Sequence, residues 1–467
     1  MLLDVEQKDK EIIVSYYDKE GQVKFRRYPI EQYKNWYITD ENDKYKHSSL
    51  RNWDGRPVKE GRSRQYSKFS LISFLDNLPE NDKKVIFEPT MPKTYFVDIE
   101  TEIVDGFPKP EEAKTRILAF SIITPERKAI VLGLEDMPQE KIQKIQDDTN
   151  EYFKTLDSDW TFDYRKFDSE YDMVFTFINR FLPKFPMMTG WNFINYDWQY
   201  IVNRCKRLQI DITAAAKTKA LDRVDSRPLH MGILDYMQLY DKYDRSVKVK
   251  ESNALDYVSG QVLKLNKIKF QGSLQDLYEQ DFVKYIYYNV VDSVLVYYID
   301  QKLKSMEVLL TLASITKMPL YKAASPVSVT EALIARKLAE DNKCVASEKK
   351  EDSQKDGKYA GAYVKQPKVG FYQGVSAFDF ASLYPSIMRQ YNISPDSYKD
   401  IIPVSQIPER RKNKDEIVCA NGVVYDKKDS ILKQILSDLY GQRKAYKKTS
   451  YDYYTKAKEV KDKLAEL

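Results

Sequence analysis

The run Tyr95-Phe96-Val97-Asp98-Ile99 is β-branched and aromatic, with no breaker before Asp105-Gly106-Phe107-Pro108, and predicts a buried strand. Alternation along it places Asp98 and Glu100 on one face. Two more strands are expected over 117–123 and 129–134, with the turn Thr124-Pro125-Glu126-Arg127-Lys128 between them, so the three form a meander. Polar positions then dominate to about Phe167 and predict an irregular segment. Beyond it the period changes. Met173, Phe177, Phe181 and Leu182 mark a helix. Ile201, Val202, Cys205 and Leu208 mark another, after a strand end at Gly190 and a loop of Asn and Asp. Phe282, Ile286, Val294 and Leu295 mark a long one. Upstream, residues 1 to about 90 hold short alternating runs such as Ile12-Ile13-Val14-Ser15-Tyr16-Tyr17, and a short amphipathic helix from Ser70: a small α/β domain. Downstream, 303–338 is helical on both sides of Ala324-Ser325-Pro326, and 341–358 is charged and reads as a linker or loop. A strand ending at Asp379 then feeds a helix, and Ile431, Leu432, Ile435, Leu436, Leu439 and Tyr440 form an apolar stripe on a last helix.

Composition narrows this only a little. The 467 residues suffice for two to four domains with real cores. With 75 Lys+Arg against 70 Asp+Glu the formal net charge is +5, which neither demands nor excludes nucleic acid, so a basic surface has to come from local clustering. The loop 51–64 (RNWDGRPVKEGRSR) is one such cluster, open to a phosphate contact or to plain solvation. Cys205, Cys344 and Cys419 lie far apart, which argues against a disulfide framework or a zinc site, and two histidines, His47 and His230, cannot build a His-rich metal site. No signal peptide and no membrane-length apolar run is read, and a reducing cytosol is the expected setting.

The acids carry the chemistry. Two carboxylates buried together are costly unless a cation joins them, and hard oxygen ligands on a rigid strand suit Mg²⁺ or Mn²⁺. Asp98 and Glu100 alone are equally compatible with a solvated edge strand. Asp197 starts a helix after Gly190-Trp191-Asn192-Phe193-Ile194-Asn195-Tyr196, where a simple N-cap is the alternative. Tyr288 and Asp292, four apart, share a face of the long helix. Arg443 and Lys447 do the same on the last one, where a solvated basic helix is the alternative.

In order and spacing, Asp98-x-Glu100, Asn192-x4-Asp197 and Tyr288-x3-Asp292 resemble the three motifs of the DEDDy 3′–5′ exonucleases, and their flanking residues resemble the proofreading domain of family B DNA polymerases of the tailed-phage type. Phe378-Asp379-Phe380-Ala381-Ser382-Leu383-Tyr384-Pro385-Ser386-Ile387 resembles polymerase motif A. Tyr359-Ala360-Gly361-Ala362 is similar to the element between exonuclease and palm that touches the template, and Gln442-Arg443-Lys444 to Lys448 is similar to the first fingers helix. The resemblance implies an α/β chain: a small N-terminal domain (1–92), an RNase H-like exonuclease domain (93–315), a helical return (316–360), a partial palm with motif A (361–428) and a truncated fingers helix (429–467). It implies two Mg²⁺ or Mn²⁺ ions per site. In the exonuclease, Asp98, Glu100 and Asp292 hold one ion, Asp98 shares the second with Asp197 through water, and Tyr288 orients the attacking water. In the palm, Asp379 and the Phe380 carbonyl are metal ligands, and Leu383, Tyr384, Arg443 and Lys447 form the nucleotide site. Asn192, Tyr359 and Gly361 are expected at DNA. The second palm acid, the second fingers helix and a thumb are not found in the sequence. The expected function is therefore the N-terminal subunit of a split DNA-directed DNA polymerase, an exonuclease by itself and a polymerase only with a second chain, in the cytoplasm (the host's, if phage-encoded). Expected partners are primer-template DNA, a single-stranded 3′ end, dNTP, the second chain and, through that chain, a sliding clamp. A stand-alone exonuclease with a palm remnant is the alternative.

Overall fold

The computed structural model describes residues 1–39, 49–61, 68–104, 106–222, 225–229, 231–244, 250–346 and 363–466. His47, His230, Tyr359, Gly361 and the end of the basic loop (62–64) lie outside the described residues. The chain separates into two compact units, Met1–Tyr33 with Leu75–Val329, and Lys34–Phe74 with Thr330–Leu467. The sequence-based division runs differently, since residues 34–74 group with the C-terminal part and not with the rest of the first 92.

In the first unit, β1 (Leu2–Lys8), β2 (Glu11–Tyr17) and β3 (Val23–Pro29) form an antiparallel sheet. The larger sheet has six strands: β4 (Thr94–Thr101), β5 (Ile117–Ile123), β6 (Lys128–Gly133), β7 (Thr161–Lys166), β8 (Met187–Gly190) and β9 (Gly232–Asp235), in the order β7-β6-β5-β4-β8-β9. β4, β5 and β6 are an antiparallel meander, as the turn at 124–128 predicts, while β8 and β9 run parallel to β4. This is the RNase H-like arrangement.

The expected irregular stretch before Phe167 is instead ordered. It holds α1 (Gln139–Tyr152) and β7, which is parallel to β6. Its polarity is misleading for a physical reason: α1 buries only Ile145 and Thr149, and β7 is an edge strand with no fully buried residue. Neither needs an apolar pattern.

β5 is buried at every position, which requires cover on both faces. On one face Val97 and Ile99 join Phe120, Ile122, Phe177, Trp198 and Ile201 in the main core. Helices α2 (Glu170–Thr176) and α3 (Gln199–Leu208) lie on this side. α4 (Tyr236–Tyr243) and α5 (Leu255–Val262) follow in the chain. The other face of β4 and β5 is covered by α6 (Phe282–Leu303), a 22-residue helix buried along most of its length. Phe96 meets Tyr297 of α6 edge-on at 5.6 Å. Asp98 and Glu100 share that face, so period-2 alternation aims both acids at α6. The Asp281 side chain caps α6 and Lys304 ends it in the left-handed region.

The second unit is built of small sheets. Asn35–Ile38 pairs antiparallel with Val58–Gly61, and Arg51–Asn52 pairs parallel with Lys343–Cys344. Tyr398–Ile401, Val423–Asp426 and Glu416–Val418 form a three-stranded sheet over a small core of Ile402, Ile407, Val418 and Val424. Among its helices are α7 (Leu383–Tyr391) and α8 (Ile431–Glu466), 36 residues long. The strand expected to end at Asp379 is not formed: 363–382 is irregular. A strand needs a ladder partner for its N–H and C=O groups, and among the described residues none pairs with this segment.

Candidate active site

Four predicted acids converge between β4 and α6 in the first unit. Asp98 and Glu100 arrive from β4. Asp197 arrives from a π-turn, Ile194–Trp198, that leads into α3. Its bond from Trp198 N to Phe193 O, 2.8 Å, spans five residues and re-aims the side chain within the turn. Asp197 is no N-cap of α3: its Oδ1 accepts from the Ile99 amide of β4 at 3.1 Å. Gly190 makes this approach feasible, because a Cβ there would stand 2.3 Å from the Val97 carbonyl. Asn192, at φ 56°, takes the left-handed turn between strand and π-turn, and its Oδ1 accepts from Asn195 at 3.3 Å.

α6 supplies the opposite wall. Asn289 donates to Asp98 Oδ2 at 2.7 Å and, more weakly, to Glu100 Oε1 at 3.5 Å. Tyr288 and Asp292 share their face as expected, and the partner they share is Lys267, which donates to the Tyr288 hydroxyl at 2.9 Å and forms an ion pair with Asp292 Oδ2. The Asp292 Oδ1 and the Tyr285 hydroxyl are buried with no partner among the described residues.

Electrostatics mark the strain of this assembly. Burial, then repulsion from Asp292, pushes the Asp98 carboxyl up to about 7. Burial, then Asp98, raises Glu100 and Asp197 well above the ordinary carboxylate range. Burial also raises Asp292, with Lys267 working against it. Burial disfavours the Lys267 ammonium, yet Asp292 and then Tyr288 hold it above the usual lysine value. Removing one charge should therefore stabilise the metal-free protein. Asp98→Asn keeps the acceptor for Asn289 and should raise Tm in EDTA by a few degrees. The sign follows from the raised folded value. Wild-type stability from this group is complete below about pH 4 and is lost as pH rises through about 7, so the advantage of Asn should grow across that window. Differential scanning fluorimetry from pH 4.5 to 8 measures it, and a lower Tm for the Asn variant at pH 8 would show that the charge is compensated.

Among the described residues no three Asp, Glu, His or Cys side chains are gathered as a formed metal site. The donor chemistry nevertheless fits a hard divalent cation. Neighbouring carboxylates repel one another, the Asp292 Oδ1 has no partner among the described residues, and the Lys267 ammonium and the Asn289 amide offset only part of the negative charge.

In the second unit Asp379, Phe380, Leu383 and Tyr384 are all exposed. Arg443 of α8 donates to Ser382 Oγ at 3.2 Å, just ahead of α7, and Arg389 of α7 donates to Ser437 Oγ at 3.2 Å. Lys447 is exposed, four residues along α8. Asn392, fully buried, ties the end of α7 to the approach of α8: its amide donates to the carbonyls of Asp426 at 2.6 Å and Lys428 at 2.8 Å and accepts from Ser430 at 3.0 Å. Arg443 is thus brought to the start of α7.

Residues 63–258 match the family model for the DNA polymerase family B exonuclease domain, and residues 316–463 match that for DNA polymerase family B. The chain belongs to DNA polymerase family B. It is 29% identical to the DNA-directed DNA polymerase of Escherichia phage RB69, over 75% of the chain and 41% of that relative. It is 30% identical to the enzyme of Enterobacteria phage T4, over 64% of the chain and 35% of that relative. Against the DNA polymerase delta catalytic subunit of Plasmodium falciparum the identity is 29%, over 58% and 27%. The chain therefore spans well under half the length of these relatives. Family B polymerase and exonuclease domains generally use divalent metal ions.

One residue at this site was not anticipated. Lys267 sits in Lys264-Leu265-Asn266-Lys267-Ile268-Lys269, where nothing in the periodicity separates one lysine from the next. The only available signal was a counting one, that clustered acids need a nearby cation.

Proposed function

We propose that the first unit is a metal-dependent 3′–5′ exonuclease that proofreads DNA ends, and that the second carries the first half of a polymerase site. The observation that carries the first claim is the meeting of Asp98, Glu100 and Asp292 beside Lys267 and Tyr288, with Asp197 held by the β4 amide of Ile99 between the two strand acids. Asp98, Glu100, Asp197 and Asp292 would hold two Mg²⁺ or Mn²⁺ ions. When bound, these supply positive charge to the attacking and leaving oxygens of the scissile phosphate. The protein's own groups do the rest. Lys267 donates to the Tyr288 phenol oxygen and so fixes its hydroxyl, which orients the attacking water. The Asn289 amide holds Asp98 in its rotamer. Asn192, at the left-handed turn beside Asp197, and the exposed Phe107, 5.2 Å from the Tyr196 ring, offer a polar and an aromatic contact to a single-stranded 3′ end.

The test is direct. A 5′-labelled single strand should shorten stepwise with release of nucleoside monophosphates in Mg²⁺, and not in EDTA. Lys267→Met should slow release about 100-fold, the loss expected when one aligned donor is removed from such a site. Intact strands in Mg²⁺ and Mn²⁺ would sink the reading.

In the second unit, Asp379 and the Phe380 carbonyl would be the palm metal ligands, while Leu383, Tyr384, Arg443 and Lys447 would face a dNTP. Tyr359 and Gly361 would contact the template. What supports a site completed by further protein is exposed apolar surface: Val375, Phe378, Phe380 and Tyr384 are 75%, 95%, 76% and 71% exposed, and such a patch marks an interaction surface. In the split-polymerase reading the second palm acid, the remaining fingers and the thumb come from a second chain, which would also carry any sliding-clamp contact, in the cytoplasm.

A further inference from the structure

Lys267 reaches Tyr288 and Asp292 from a loop, not from a helix or strand. A lysine side chain has four rotatable bonds and much rotamer freedom to lose, so its aim depends on how firmly its backbone is held. The loop 263–270 follows α5, with Lys264 at φ 63°, and folds back on the start of that helix. There the Asp256 Oδ1 accepts from the Lys267 amide at 2.7 Å and from Asn266 Nδ2 at 3.2 Å. Asn266 Nδ2 also lies 3.2 Å from the Asp256 carbonyl. The Asn266 carbonyl accepts from the Tyr152 hydroxyl of α1. Gly260, one turn along α5, leaves the gap: a Cβ there would stand 3.0 Å from Asn266 Nδ2. On the far side of Lys267 the Phe270 ring meets Tyr288 edge-on at 5.4 Å.

Asp256 has an ordinary use available to it. It lies in the first turn of α5, where an acid is favoured by the helix dipole. Its carboxylate, however, accepts donors ten and eleven residues downstream, at the backbone that carries the site's cation.

We propose that Asp256 and Asn266 are positioning residues for the exonuclease, a clamp that fixes the Lys267 backbone so that its ammonium meets Tyr288 and Asp292. The clamp rests on the exonuclease reading above and adds to it the device that aims Lys267. Displacement of a catalytic constellation by about 1 Å costs up to ~10²-fold in rate, and a loosened loop samples such displacements part of the time.

The experiment measures mononucleotide release from a labelled single strand by the full chain. Asp256→Ala should lower kcat about tenfold with little change in KM for the strand. Asp256→Asn keeps the acceptor oxygen and should recover most of that loss. Asp256→Ala combined with Lys267→Met should be no slower than Lys267→Met alone, because a residue acting through Lys267 has nothing to align once the ammonium is gone. Asp256 is exposed, so the fold should survive, as Tm and far-UV circular dichroism check. Should Asp256→Ala unfold the chain, Asn266→Ala removes the clamp from the loop side and should give the same kcat loss. Wild-type rates in both alanine variants, or losses that multiply in the double variant, overturn the clamp. A wild-type chain that releases no mononucleotide gives a different result, overturning the exonuclease reading and the clamp with it.

Discussion

Replacing both β4 acids, Asp98→Ala with Glu100→Ala, should abolish Mg²⁺-dependent shortening of a single strand while leaving binding of that strand nearly intact. Both side chains project from one face of one strand toward α6, Glu100 buried and Asp98 half-buried. Their loss removes two of the four hard oxygen donors, leaving Asp197 on its π-turn and Asp292 on α6. Because metal charge at the scissile phosphate supplies many kcal/mol of barrier lowering, the expected rate loss is at least about 10⁴-fold. Binding should persist because the turn at Asn192 and the Phe107 ring lie outside the acid pair. The double variant should also be more stable than wild type in EDTA, since repulsion at Asp98 and Glu100 is gone. Release of mononucleotides by the double variant at a tenth of the wild-type rate would refute the assignment.

The second large effect concerns Asp379. Asp379→Ala should eliminate template-directed primer extension by any assembly in which this chain is joined to the missing palm acid, while exonuclease activity of the chain stays within about twofold of wild type. Two-metal nucleotidyl transfer needs a carboxylate on each side of the ion pair, and Asp379 is the acid that motif A offers. The 467-residue chain alone should extend no primer with dNTPs, because the irregular segment around Asp379 presents one acid and exposed apolar side chains. Two assays on one preparation separate the sites: primer extension with all four dNTPs, and strand shortening without them. Primer extension by the chain alone would refute the half-site reading. Parallel loss of both activities in Asp379→Ala would show instead that Asp379 holds the fold.

The sequence by itself determined the meander of β4, β5 and β6 and the acids on its first strand. Val97 and Ile99 against Asp98 and Glu100 is an alternation that admits only one face for the carboxylates, and the i, i+4 spacing of Tyr288 and Asp292 does the same on α6. Motif order carried the family. Three things were decided only by tertiary structure. The segment 139–166 is helix and edge strand because partners along β6 and α6 order a stretch that buries almost nothing of its own. Asp197 serves β4 and not its own helix, because a π-turn re-aims it by an amount no periodicity encodes. Lys267 is the site's cation because Asp256 and Asn266 fold the loop after α5 back on itself, a contact between residues eleven apart that hydrophobic spacing does not register. In the second unit the order reverses: the residues of motif A read clearly as a strand end, yet 363–382 forms none, because a strand is stable only when neighbours accept its backbone hydrogen bonds.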